Sequence, residues 1–194
     1  MIVPRTSERR TLMGVSLLEK IHAGEARVSV IGLGYVGLPL AVEFARAGLT
    51  TVALDIDEAK VARLERGESY IADVSDEDVQ VVIGTGRLRP TVDFSELSGV
   101  DTVDICVPTP LRKTRDPDLS FIVSAVDEIA KHLRKGQLVI LEATTYPGTV
   151  EEVVRPKLEA GGLRAGRDFY LAFSPERVDP GNPTWTTRNI PKVV

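Results

Sequence analysis

Gly32, Gly34 and Gly37 stand at Gly-x-Gly-x-x-Gly spacing inside "VSVIGLGYVGLP" (28–39). An apolar, strand-like run precedes them and a helix-like run follows. In that setting each glycine has a separate task. Gly32 makes the tight turn, Gly34 lets the backbone approach a diphosphate, and Gly37 lets the helix pack against the strand. Tyr35 and Val36 lie at the helix N-terminus, whose unpaired N–H groups and partial positive charge suit the same anion. Asp55 closes the next strand, about 20 residues on, the distance used by dinucleotide folds, and Ile56 and Asp57 follow it. A carboxylate there accepts hydrogen bonds from ribose hydroxyls and repels a 2′-phosphate, so the pattern predicts NAD rather than NADP. Lys60, one turn into the following helix, weakens that preference. A structural turn between strand and helix is the competing reading; strand, helix and Asp55 together outweigh it.

Two more segments place polar side chains at strand ends. "CVPTPL" (106–111) follows a strand whose C-terminal end points at the ligand crevice of an open α/β sheet. Its prolines stiffen the loop, and Thr109 offers a hydroxyl or an N–H. "EATTYPGT" (142–149) ends another strand, with Thr144 and Thr145 at the crevice edge, Pro147-Gly148 in the turn and Thr149 as a helix cap. Cys106 sits among apolar neighbours in "VDIC" and reads as a small buried hydrophobe rather than a nucleophile. His22 and His132 have no metal-ligand spacing between them, and no metal site is expected. His132 reads as structural, near a helix end with Lys131, Arg134 and Lys135, where positive charge suits the macrodipole.

The elements that must hold these residues alternate. Strand-like runs at 27–31, 51–55, 102–107, 137–142 and 169–173 are short, rich in Val, Ile and Leu, and often continuously apolar, as in strands covered on both faces. Helical patterns fall at 36–48, 58–66, 75–84, 120–134 and 149–160, with a short amphipathic helix at 14–23. Pro39 lies in the first turn of its helix, where its missing N–H costs little. Asp118 or Ser120, in "RDPDLS" (115–120), caps the helix at 120–134. The alternation predicts a Rossmann-like, doubly wound parallel sheet in a three-layer αβα arrangement. Residues 1–24 form a leader and short helix, and 25–194 the NAD-binding domain.

Composition bounds the partners. A chain of 194 residues with 43% hydrophobic and 27% charged residues has enough apolar material for one core. The net charge of −4 argues against nucleic-acid or anionic-membrane surfaces, which need a basic face. No apolar run reaches the length of a membrane span, and residues 1–25 lack a signal core, so a cytoplasmic location is expected. One cysteine permits no internal disulfide.

The strings "VIGLGYVGLPLAVEFARAG", "DID", "GESYI", "CVPTPL", "LEATTYPGT" and "SPERVDPGN" occur in this order. Together they resemble the N-terminal domain of the UDP-glucose/GDP-mannose dehydrogenase family over about 25–194. The nearest branch is the UDP-N-acetylglucosamine 6-dehydrogenases of bacterial surface-polysaccharide synthesis. The resemblance implies oxidation of a nucleotide-sugar C6 hydroxymethyl to a carboxylate in two steps with two NAD⁺, the second through a thioester on a cysteine. It implies that Val107, Pro108, Thr109 and Pro110 line the adenosine and diphosphate side of NAD. Of the Ser-Thr pair that binds NAD in the family, Ala143 replaces the serine. Thr144 matches the threonine that helps hold an active-site water, and Thr145 is the runner-up. Glu176 matches the active-site glutamate assigned to proton transfer or water activation, and Arg177 pairs with it or with substrate phosphate.

The family's catalytic cysteine, lysine and asparagine, its central helical dimerisation region and its nucleotide-binding C-terminal domain have no counterpart in this sequence. The expectation is therefore a truncated domain, ending at "IPKVV", that binds NAD but turns over no sugar. Its full-length form would be a homodimer with a UDP-sugar substrate. UDP-N-acetylmannosamine and UDP-glucose are the alternative substrates. A non-catalytic NAD-binding module is the alternative class, and a different Rossmann dehydrogenase, of 3-hydroxy acids, a third. The "SPER" and "TTYPGT" loops argue against a pure binding module, which needs neither.

Overall fold

Six parallel strands form one sheet in the order β3-β2-β1-β4-β5-β6. They are β1 (Arg27–Ile31), β2 (Thr50–Leu54), β3 (Leu88–Thr91), β4 (Thr102–Ile105), β5 (Leu138–Glu142) and β6 (Tyr170–Ser174). The structure is a computed structural model, and it describes residues 16–113, 117–177, 182 and 184–192. The expected leader, the first residues of the 14–23 helix, and parts of the "RDPDLS", "SPERVDPGN" and "IPKVV" segments lie outside the described residues. The strand order reverses between β1 and β4, and that switch point is where an open α/β sheet leaves a crevice at its carboxyl ends.

The helices are α1 (Leu17–Ala23), α2 (Gly37–Arg46), α3 (Glu58–Glu65), α4 (Asp76–Gly84), α5 (Ser120–His132) and α6 (Arg155–Glu159). Two separate cores mark the two helical layers. On one face Val30 and Ala53 of the sheet pack with Leu38, Ala41 and Ala45 of α2, Leu64 of α3 and Val79 and Val82 of α4. On the other, Ile31, Val103, Ile105, Val139 and Leu141 pack with Ile122, Val126 and Ile129 of α5 and Leu158 of α6. Neighbouring strand residues thus feed opposite cores, which explains the continuous apolar runs.

Two expected boundaries changed in kind. The strand β3 was not foreseen. Its four residues, Leu88-Arg89-Pro90-Thr91, carry a charge and a proline, which mask the strand signal. The position is tolerable because β3 is an edge strand paired only to β2, so the missing N–H of Pro90 need break no ladder bond. The helix expected at 149–160 divides into a π turn at Val150–Val154 and α6, with Pro156 just inside α6. Proline gives no N–H to the carbonyl four residues back, so a uniform α-helix cannot run through it. Thr149 does not cap this helix either; its hydroxyl donates to the Tyr146 carbonyl at 2.8 Å. The other expected elements appear within about two residues of their bounds. The Asp118 carboxylate accepts the N–H of Ser120 at 3.0 Å where α5 begins.

At the opposite end of the sheet, Asp101 ties α1 to the domain. It accepts from Lys20 Nζ at 2.7 Å, the Arg27 N–H at 3.0 Å and Arg134 Nη2 at 3.2 Å. Burial alone would raise this carboxyl, but these donors hold it below the usual carboxylate range.

Candidate cofactor cleft

The carboxyl ends of β1, β2, β4 and β5 open onto a cleft of about 1200 Å³. Its lining includes Gly32, Gly34, Tyr35, Val36, Asp55, Ile56, Lys60, Val107, Pro108, Thr109, Thr144 and Glu176. Of the residues expected at the ligand, Gly37, Pro110, Thr145 and Arg177 are not in the lining. Gly37 lies beneath the turn, and Thr145 one residue beyond the rim.

The three glycines have distinct physical reasons. A Cβ on Gly37 would lie 1.9 Å from the Gly32 carbonyl oxygen, an impossible contact. Gly32 has φ +91, and a Cβ there would meet the Cys106 carbonyl oxygen at 2.9 Å. These two are required by the fold itself. Gly34 differs: a Cβ on it would meet no protein atom within 4 Å. Packing against protein atoms does not account for glycine at 34. The N-cap of α2, Val36, makes no side-chain cap bond, so the anion-attracting end of this helix is left to the cleft.

Asp55 is 6% exposed and serves the turn directly. Its Oδ2 accepts the Leu33 N–H at 2.8 Å and Lys60 Nζ at 3.1 Å, and its Oδ1 accepts the Asp57 N–H at 3.0 Å. Asp57 in turn caps α3 through the N–H groups of Ala59 and Lys60. Each carboxylate oxygen has two lone pairs, so Asp55 retains capacity for a further donor. Ile56 beside it is 76% exposed and presents an apolar surface at the cleft edge. Opposite, Phe94 and Phe121 also line the cleft. The sequence reading missed both, although Phe121 sits one residue into α5 on a helix that otherwise buries its apolar face.

The loops after β4 and β5 are joined. Thr109 Oγ1 donates to the Thr144 carbonyl at 2.8 Å, so its hydroxyl proton serves the scaffold. Cys106 is buried in the core beneath, and burial pushes its thiol well above the ordinary range, which suits an inert side chain. Glu142, the last residue of β5, was passed over in the sequence because it reads as part of the strand. It is 5% exposed, lines the cleft and pairs with Lys192. Asp104 lies two residues before Cys106 and is wholly buried. Desolvation raises its carboxyl to about 7, opposed by the Lys192 charge. Burial pulls the Lys192 ammonium downward. Arg177 gives a hydrogen from Nη1 to the Pro191 carbonyl at 3.1 Å, holding the segment after β6 against the residues near Lys192.

Among the described residues, no group of three or more His, Cys, Asp or Glu is placed to hold a metal ion, and no helix is long and apolar enough to cross a membrane.

A family model described as "UDP-glucose/GDP-mannose dehydrogenase family, NAD binding domain" matches residues 26–194. The chain is 39% identical over 170 residues to the UDP-N-acetyl-D-glucosamine 6-dehydrogenase of Pseudomonas aeruginosa, covering 87% of this chain and 39% of that protein. It is 40% identical over 156 residues to the UDP-N-acetyl-D-mannosamine dehydrogenase of Pyrococcus horikoshii, covering 80% and 37%. Among solved structures, a ternary complex of GDP-mannose dehydrogenase from Pseudomonas aeruginosa superposes with a TM-score of 0.76 at 34% identity, covering 79% of this chain and 37% of that one. The chain thus spans less than two-fifths of the length of these relatives.

Proposed function

The chain belongs to the UDP-glucose/GDP-mannose dehydrogenase family, and from that premise we propose that it is the cofactor part of a cytoplasmic nucleotide-sugar 6-dehydrogenase acting on UDP-N-acetylglucosamine. NAD is the cofactor of this domain family. The observation that carries the placement of NAD in the cleft is Gly34, whose missing side chain leaves space that no protein atom fills.

In this reading Gly32 and Gly37 shape the turn. Gly34, Tyr35 and Val36 bring backbone N–H groups to the diphosphate at the start of α2. Asp55 accepts from the adenosine ribose, Lys60 balances its charge, and Ile56 lies against the adenine side. Val107, Pro108 and Thr109 form the facing wall. Thr144 and Thr145 hold the nicotinamide end. Bound NAD⁺ supplies a hydride acceptor. The chain's own residues orient the substrate and move protons. Thr144 helps position a water at the end of β5. Glu176 exchanges a proton with the reacting sugar or with that water, a task for a carboxylate within hydrogen-bond reach of the reacting oxygen. The parts that carry the family's remaining groups, and the homodimer interface, belong to the full-length polypeptide.

UDP-N-acetylmannosamine is the competing substrate, supported by a relative of the same similarity that acts on it by name. Calorimetric titration of NAD⁺ into the chain should give one saturable site without sugar turnover. NADH formation by the full-length polypeptide, with UDP-N-acetylglucosamine, UDP-N-acetylmannosamine and UDP-glucose in turn, should rank the first highest. Absence of heat with NAD⁺ would overturn the cofactor placement. Preference for another sugar would overturn the substrate.

A further inference from the structure

Tyr70 lies in "GESYI" (67–71), between α3 and α4, and is not among the residues lining the cleft. Its hydroxyl donates to the Leu33 carbonyl at 2.9 Å, across 37 residues of chain. Leu33 is the fully buried residue between Gly32 and Gly34, and its N–H is already held by Asp55 at 2.8 Å. Both polar groups of Leu33 are therefore fixed by side chains from outside the turn. The geometry of the peptide unit makes this consequential. The Leu33 carbonyl shares a plane with the Gly34 N–H, and in a trans peptide the two point in opposite directions. Holding the carbonyl on Tyr70 turns the Gly34 N–H away from Tyr70, at a residue that lines the cleft.

The tyrosine is itself braced. The Arg63 guanidinium lies over its ring, 5.4 Å from the centroid, and donates to the Ser69 carbonyl. The Ser69 N–H donates to Asp76 of α4 at 2.7 Å. Burial, with the nearby charges of Asp55 and Asp57, pushes the phenol well above its ordinary pKa, so it stays a proton donor at any working pH.

We propose that Tyr70 is a positioning residue for cofactor capture: its hydroxyl sets the rotation of the Leu33–Gly34 peptide and thereby the direction in which the glycine turn presents its N–H groups to the dinucleotide diphosphate. This rests on the reading of the turn as the NAD seat. It separates two tasks for the same side chain. The ring anchors the α3–α4 connection, and the hydroxyl aims the turn.

The test compares Tyr70→Phe with Gln80→Ala. Gln80 Nε2 donates to the Gly67 carbonyl at 3.3 Å, so its loss loosens the same connection from α4 without touching the bond to Leu33. NAD⁺ is titrated calorimetrically into each folded variant, and the Gly34 amide resonance is recorded. Tyr70→Phe should raise the Kd for NAD⁺ about tenfold, the effect of one lost hydrogen bond that leaves a carbonyl unpaired, and shift the Gly34 amide. Gln80→Ala should leave the Kd within about twofold and the amide in place. An unchanged Kd and amide in Tyr70→Phe, or equal loss in both variants, overturns the proposal and leaves the NAD seat standing. An unsubstituted chain that binds no NAD⁺ overturns the seat and the proposal with it.

Discussion

On the β1–β2 side of the cleft, Asp55 has both carboxylate oxygens engaged, with the Leu33 N–H, the Asp57 N–H and Lys60 all within 3.1 Å. On the β4–β5–β6 side, the acidic groups are held differently. Asp104 is wholly buried with its carboxyl at about 7, and Glu142 is paired to Lys192, far along the chain. Glu176 lines the cleft from the segment after β6. The first side is a seat whose groups are locked by local backbone. The second presents Glu142 and Glu176 to the cleft, with the buried Asp104 beneath them. Binding needs a preorganised, fixed charge pattern, whereas proton transfer needs a carboxylate within hydrogen-bond reach of the reacting oxygen. In the proposed function, anchoring falls to the first half of the cleft and proton exchange by Glu176 to the second.

Substitutions on the two sides should therefore fail in different ways. The largest effect expected is for Glu176→Gln in the full-length polypeptide. The turnover number should fall about 10²- to 10⁴-fold, the range for a lost acid–base group, while the calorimetric affinity for NAD⁺ holds. Loss of NAD⁺ binding instead would erase the distinction between the halves. Gly37→Ala comes next. Its Cβ would overlap the Gly32 carbonyl, so the seat distorts and stability falls by about 3 kcal/mol in denaturant titration; an unchanged midpoint would contradict the close packing.

Asp104 gives a third, pH-dependent test. Its folded-state pKa is raised to about 7 from 3.8. The folded state thus binds more protons than the unfolded one between those values. Stability is undiminished below about pH 4 and declines as pH rises towards 7, by up to roughly 1.4 kcal/mol per pH unit from this group. Asp104→Asn should flatten that decline in thermal midpoints taken from pH 5 to pH 8, and an unaltered slope would show that another group governs it. The smallest effect belongs to Lys60→Ala. Removing the cation leaves the Asp55 charge without its ion-pair partner, and the ratio of NAD⁺ to NADP⁺ affinity should rise a few-fold, by about 0.5–1 kcal/mol for a partly exposed pair.

Legibility in the sequence followed the same division. The glycine turn was readable because its determinants are close in sequence and of restricted type: three glycines, one strand, one helix and Asp55. Even there Tyr70 gave no signal, since a tyrosine in a loop does not announce a carbonyl 37 residues away. Five of the six strands were readable from their apolar runs, but β3 was hidden by Arg89 and Pro90, which an edge position permits. In the second half, Glu142 looked like a strand residue and Arg177 like a partner for Glu176. Only the fold brings Lys192 to Glu142 and the Pro191 carbonyl to Arg177. Thr109 and Thr144 were recognised individually, whereas the hydrogen bond that joins their loops depends on β4 and β5 lying side by side.

The central claim is that the space at Gly34 belongs to the dinucleotide, and Gly34→Ala tests it most directly. No protein atom lies within 4 Å of the added methyl, so the thermal midpoint should stay within about 2 °C. NAD⁺ titrated calorimetrically into the variant should bind at least about tenfold more weakly than to the unsubstituted chain, because the methyl takes the position of the diphosphate. Equal affinity in the two proteins would contradict the account.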